Sequence, residues 1–111
     1  MYDRLMRKSA DWMVLLDDRC LELLREDEDG LLSPSEIAED ERITYGSNYV
    51  GKRLRKLAEN GYVQRFGNGV YQITEQGASY LDEEYDAIND VWIEEIEENG
   101  GPTAGEGFGS T

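Results

Sequence analysis

The sequence predicts a mainly α domain with a small antiparallel β-hairpin, on three observations. Apolar residues recur at helical spacing in several separate segments, Ser33-Pro34-Ser35-Glu36 is a helix-start signature, and β-forming residues from Tyr62 to Thr74 flank Gly67-Asn68-Gly69. At 111 residues, the length suits one small domain with additional helix.

In residues 1–16, Tyr2, Leu5, Met6, Ala10 and Met13 fall at helical spacing, with Asp3, Arg4, Arg7 and Lys8 opposite, so an N-terminal amphipathic helix or arm is expected there. Asp17 reads as the N-cap of the next helix, which runs through Cys20, Leu21, Leu23 and Leu24 and stops at Asp27-Glu28-Asp29-Gly30. Around that stop, Asp27, Asp29, Gly30, Leu32 and Glu36 imitate a calcium loop, but its first position is Arg25, which cannot ligate the ion. Ser33 and Glu36 instead form a capping box with Pro34 at the first helical position, starting a short helix to about Asp40. The next helix is Ser47 to Asn60, opened by Gly46 and closed by Gly61. On a helical wheel Leu54, Leu57 and Ala58 lie within ~80° of Val50, leaving Asn48, Lys52, Arg55, Lys56 and Glu59 opposite and Tyr49 and Arg53 at a flank. Two short strands with a three-residue Gly-containing loop follow. Thr74 then caps a last helix in which Leu81, Tyr85, Ile88 and Trp92 make a short a/d-type seam. From Asn99 onward, glycine-rich composition predicts disorder. The resulting division is 1–16 arm, 17–76 central domain, 77–98 acidic amphipathic helix and 99–111 tail.

Composition narrows the chemistry. No histidine is present, which removes Ser-His-Asp triads, Cys-His dyads and imidazole zinc sites. Cys20 cannot form an internal disulfide and falls among apolar positions, so it reads as a small buried hydrophobe in a reducing cytoplasm. No stretch approaches the ~18 apolar residues of a membrane span, and no signal peptide is legible. Carboxylates are abundant without a phosphate loop, nucleophile motif or metal cluster, so neither an enzyme nor a cofactor is expected.

Charge is distributed unevenly. The chain has 25 acidic and 11 basic residues, for a net −14. Residues 42–72 nevertheless hold six basic groups (Arg42, Lys52, Arg53, Arg55, Lys56 and Arg65) against Glu59 alone, inside acidic flanks. A cationic middle in an anionic envelope is a statement about partners. With three lysines to eight arginines, the carboxylate-rich surface also suggests a halophile.

The element order (helix, extended Leu31-Leu32, capped helix, basic helix, hairpin, helix) is that of a winged helix-turn-helix. In that fold the second helix of the pair enters the major groove and the wing reaches the flanking backbone or minor groove. Ser47, Asn48, Tyr49, Lys52, Arg53, Arg55 and Lys56 are the candidate DNA contacts on the helix, with Arg65 and Asn68 on the wing. Leu5, Met6, Met13, Leu81, Tyr85, Ile88 and Trp92 are the candidate homodimer interface, because a core this small leaves two apolar stripes uncovered. Twofold symmetry implies a pseudo-palindromic operator. In molar salt the Debye length falls to about 3 Å, so the expectation is that high salt screens the acidic envelope and permits approach to DNA. The alternative is a winged-helix protein-interaction module without DNA contact.

Residues 11–82 resemble the haloarchaeal winged helix-turn-helix DNA-binding regulators related to a haloarchaeal phage repressor. The resemblance lies in DWM at 11–13, DDR at 17–19, SPSEIA at 33–38, YVGKRLRKLAENG at 49–61 and GNGVYQIT at 67–74, followed by Gly77 and Tyr80-Leu81. It implies an archaeal, cytoplasmic transcriptional regulator, a repressor, that binds duplex DNA as a dimer. Gly46 stands where relatives often place a serine cap.

Overall fold

Residues 7–93 are described by the structure, a computed structural model. The elements are α1 (Leu15–Glu26), α2 (Pro34–Ala38), α3 (Ser47–Glu59), β1 (Val63–Arg65), β2 (Tyr71–Ile73), α4 (Glu75–Leu81), β3 (Tyr85–Asp86) and β4 (Val91–Trp92). The central domain follows its capping chemistry. Ser33 Oγ accepts from the Glu36 amide at 3.2 Å and Glu36 Oε1 accepts from the Ser33 amide at 2.8 Å, so α2 starts where the capping box places it. Gly46 is the N-cap of α3, and Gly61, at φ +91°, follows its C-cap Asn60. Thr74 Oγ1 accepts from the Gly77 amide and caps α4.

The wing pairs Val63 with Ile73, Gln64 with Gln72 and Arg65 with Tyr71, antiparallel. These strands are shorter than the sequence suggests. One further bond, Phe66 N to Val70 O at 2.9 Å, closes the hairpin around Gly67-Asn68-Gly69. Leu32 and Tyr71 exchange backbone bonds of 3.1 and 2.8 Å, so the extended piece before α2 lies alongside the wing as a one-residue third strand. Between these elements Leu21 and Leu24 of α1, Ile37 of α2, Val50, Leu54 and Leu57 of α3, and Tyr80 of α4 are buried together. Each buried aliphatic side chain contributes roughly 1.5–3 kcal/mol of transfer free energy.

Two expectations fail at the edges of this domain. The N-terminal helix does not continue through residues 7–14, which run as an irregular arm; residues 1–6 lie outside the described residues. The arm's polar groups point inward. Arg7 Nε donates to Leu81 O at 3.0 Å, its Nη1 donates to Asp18 and Glu22 at 3.1 and 2.8 Å, and Ser9 Oγ bonds Tyr80 Oη at 2.5 Å. A helix would turn Arg7 and Ser9, two positions apart, to opposite faces, and both could not make these bonds. Accordingly, α1 begins at Leu15 after the N-cap Val14, and Asp17 is not the cap. Asp17 stands three residues inside, where its Oδ2 accepts from the Val14 amide at 2.9 Å.

The last helix is also shorter than expected. It ends at Leu81, and Glu83 adopts φ +66°, beyond which Tyr85–Asp86 and Val91–Trp92 form a second antiparallel hairpin. Its turn is made by Asp86, whose Oδ1 accepts from the amides of Ile88 and Asn89 at 2.9 and 3.2 Å. No a/d seam exists on this segment. Leu81 and Tyr85 are buried in their own domain, Met13 and Trp92 pack against it, and only Ile88 is exposed, at 63%. Tyr85 and Trp92 meet as a cross-strand aromatic pair, with ring centroids 5.0 Å apart. Leu5, Met6 and the glycine-rich stretch from Asn99 lie outside the described residues.

Gly77 marks the closest approach of two elements: a Cβ there would stand 2.3 Å from Tyr62 O and 2.8 Å from Ile73 Cγ1. Gly77→Ala is therefore expected to destabilise the protein by about 1–3 kcal/mol through overpacking, read as a lower urea midpoint. Cys20 is fully buried and desolvation pushes its thiol up to about 12. A thiol reagent at pH 8 should label the native protein only as fast as it unfolds, and immediately once urea has unfolded it.

Candidate nucleic-acid interface

Helix α3 packs by Val50, Gly51, Leu54 and Leu57, all buried. That rotation turns Asn48, Lys52, Arg55, Lys56 and Glu59 to solvent, with Ser47 half-buried and Tyr49 exposed at the edge. Helix α2 lies against α3 at Gly51, where a Cβ would stand 3.7 Å from Pro34 Cγ, an ordinary van der Waals contact. The two helices thereby share an open groove lined by Pro34, Ser35, Ser47, Asn48, Lys52 and Arg55. Arg65 and Asn68 are exposed on the wing.

Ion pairing sorts the cations into two sets. Arg7 pairs with Asp18 and Glu22, Arg19 with Glu22, Arg25 with Asp82, Arg42 with Asp40 and Glu26, and Arg53 with Asp17, at N···O distances of 2.7–3.1 Å. Among the described residues, Lys52, Arg55, Lys56 and Arg65 have no ion pair. Lys8 has none either; it belongs to the arm, where its backbone is bridged to Asp86. In a chain this acidic, unpaired cations gathered on one helix face and the adjoining wing are poised for an external anion.

Arg53 does not belong to that face, although the sequence puts it among the DNA-facing cations. Its Nε and Nη2 donate to the two oxygens of Asp17 at 2.9 and 2.7 Å, and Nη2 also donates to Trp12 O at 2.8 Å. Asp17 is 0% exposed, and its hydrogen bonds raise the Arg53 guanidinium further above its ordinary range despite partial burial. This bidentate fork ties α3 to α1 and to the arm. Asp17 and Trp12 are thus positioning residues that single-segment patterns do not reveal; their only signal was the DWM and DDR motifs. Lys56 Nζ lies 5.7 Å from the Trp12 ring centroid, a cation–π distance that orients this lysine along the same edge. Tyr45 and Tyr49 meet at the start of α3 with ring centroids 5.0 Å apart and planes tilted by 53°.

The winged helix-turn-helix phage repressor family matches residues 6–98. The chain belongs to that family. This repressor-family chain is also similar to a solved structure, the crystal structure of the PhiH1 repressor-like protein from Haloarcula marismortui. The two are 42% identical, with a TM-score of 0.72, over 78% of this chain and 96% of the other. No curated protein matches the sequence. Family and neighbour together bear out the winged helix-turn-helix fold and the resemblance to haloarchaeal phage-repressor relatives, and they support a DNA-binding regulator. No helix among the described residues is long and apolar enough to cross a membrane, and no described group of three or more His, Cys, Asp or Glu could hold a metal ion.

Removing Asp17 leaves Arg53 half-desolvated without its carboxylate. Asp17→Ala is expected to cost about 3 kcal/mol in urea unfolding. Lys52→Ala, on the open face, should stay within about 0.5 kcal/mol of the parent.

Proposed function

We propose that this chain is a sequence-specific, duplex-DNA-binding transcriptional repressor that lays α3 in the major groove and sets its wing against the flanking backbone. The observation that carries the reading is the partition of cations: the arginines of α1, the arm and the α2–α3 turn are paired internally, while Lys52, Arg55, Lys56 and Arg65 are left unpaired on one side. Family membership supports the same conclusion. Ser47 and Asn48, short and at the helix N-terminus, approach base edges, where Asn48 suits a bidentate contact with adenine. Lys52 and Arg55 meet bases and phosphates across the centre of the face. Tyr49 and Lys56 border it, and Arg65 with Asn68 reaches backbone or minor groove from the wing.

One domain offers one recognition helix, which reads only a few base pairs, so the reading includes a homodimer on a pseudo-palindromic operator. The seam proposed from sequence cannot supply that interface, because Leu81 and Tyr85 are internal. The expectation that molar salt favours approach of so acidic a protein to DNA belongs to the same reading.

Fluorescence anisotropy tests it, using DNA from upstream of the protein's own gene and a scrambled duplex at about 0.2, 1 and 3 M KCl. Saturable binding should be lost on Lys52→Glu/Arg55→Glu, by at least about 100-fold if two phosphate or base contacts become repulsive. Preference over the scramble marks the operator. Absence of binding by the folded protein at every salt contradicts the reading and favours a protein-interaction winged helix. An affinity falling monotonically with salt contradicts the screening part alone.

A further inference from the structure

Asparagine followed by glycine is a reactive dipeptide, because glycine has no Cβ to keep its backbone nitrogen from the asparagine side-chain carbonyl. The pair occurs at Asn60-Gly61, Asn68-Gly69 and Asn99-Gly100, and the last lies outside the described residues. The fold treats the other two in opposite ways. At the end of α3, Asn60 Nδ2 donates to Lys56 O at 2.9 Å and Asn60 O accepts from Gln76 Nε2 at 2.9 Å. The Gly61 amide donates to Ala58 O at 3.2 Å, its carbonyl accepts from Thr74 Oγ1 at 2.7 Å, and a Cβ on it would stand 3.1 Å from Gln76 Oε1. Neither the side chain nor the nitrogen can turn toward the other without breaking these bonds.

Asn68 sits at the tip of the wing instead. It is exposed, its side chain makes no hydrogen bond among the described residues, and a Cβ on Gly67 or Gly69 would meet nothing within 4 Å. The Gly69 amide is tied by one turn bond, to Phe66 O at 3.0 Å, with Gly69 at φ +76°. A single bond at an exposed hairpin tip opens far more readily than a braced helix end. Arg65, on the same hairpin, has no ion pair among the described residues.

We propose that Asn68 is a site of self-modification: the wing tip converts its own side-chain amide to a carboxylate, and the protein thereby loosens its hold on DNA with age. Base takes the proton from the Gly69 nitrogen, which bonds to Asn68 Cγ; the Cγ–Nδ2 bond breaks, and the proton goes out with the departing ammonia. Water then opens the cyclic imide. Cleavage of the new N–Cγ bond leaves aspartate, whereas cleavage at the main-chain carbonyl carbon leaves isoaspartate, whose extra backbone carbon lengthens the turn. Water enters, ammonia leaves, and nothing is oxidised or reduced. Either product carries a negative charge where the DNA-binding reading places phosphate, and it gives Arg65 an acidic partner on its own hairpin. The cyclisation stands on the wing geometry alone, and its consequence for DNA rests on the reading above.

The test ages the folded full chain in molar KCl at mildly alkaline pH and follows each asparagine by peptide mapping with mass spectrometry. Parent, Asn68→Gln and Asn68→Asp are compared, and a portion of the parent is aged in urea. Expected in the folded parent is conversion to aspartate and isoaspartate at least about tenfold faster at Asn68 than at Asn60, with similar rates at both in urea. On a labelled random-sequence duplex at low salt, the aged parent and fresh Asn68→Asp should each bind about fivefold more weakly than the fresh parent, a gap that narrows in molar salt. Asn68→Gln, whose longer side chain must close a larger ring, should keep its own starting affinity through ageing, even where Asn99 has reacted. Conversion at Asn68 no faster than at Asn60 in the folded chain overturns the modification site. Conversion that leaves duplex affinity unchanged overturns the loosening. Conversion at Asn68 in a protein that binds no duplex at any salt upholds the site and overturns the DNA-binding reading instead.

Discussion

Asp17 and Asp18 are adjacent in sequence, and both carboxylates are withdrawn from water in the first turn of α1, at 0% and 1% exposure. Two neighbouring negative charges cannot be held there unless each meets a cation or a strong donor, since desolvation of an unpaired carboxylate costs several kcal/mol. The partners come from different parts of the chain. Asp17 takes Arg53 from α3, and Asp18 takes Arg7 from the arm together with the Tyr80 hydroxyl at 2.8 Å from α4. One helical turn therefore fixes the arm, the last helix and the rotation of α3. With Arg53 drawn inward, successive residues at 100° intervals leave Asn48, Lys52 and Arg55 on the outside, with Lys56 at the edge over Trp12.

The same pairing decides the electrostatics of the surface. A net charge of −14 would repel a polyanion if spread evenly. The carboxylates of α1 and its neighbours instead neutralise nearby arginines pair by pair, and most of those pairs contribute little stability because they are exposed. Their effect is spatial: they pair the arginines of α1, the arm and the α2–α3 turn, and Arg53 on the inner side of α3, and among the described residues they leave Lys52, Arg55 and Lys56 on its open face without an ion pair. On the DNA-binding reading proposed above, recognition in high salt depends on contact geometry, hydrogen bonds and apolar fit, with long-range attraction and repulsion both shortened to a few ångströms.

Local chemistry was the legible part of this sequence. Ser33, Glu36, Gly46, Gly61 and Thr74 mark element boundaries through bonds made within three or four residues, and the structure has them there. The buried stripe of α3 was readable for the same reason. The arm was misread because its apolar spacing imitates a helix, while what holds it is Arg7 reaching Leu81, 74 residues away in sequence. The β3–β4 hairpin was misread because Leu81, Tyr85, Ile88 and Trp92 happen to keep seam spacing; the overlooked signal was Asp86 with Asn89, whose side chains bond and fold the turn. Arg53 lay on the flank of the wheel, and only a partner 36 residues distant decided which way it points.

The central claim is that internal carboxylates separate paired from unpaired cations and that only the latter meet DNA. It is tested most directly by following the arginine Nε–Hε resonances of the folded protein while duplex DNA is added. The account predicts sharp, slowly exchanging signals for Arg7 and Arg53 that do not move, and signals for Arg55 and Arg65 that exchange fast in the free protein and shift on binding. Movement of the Arg53 resonance with DNA while those of Arg55 and Arg65 stay unchanged would contradict it.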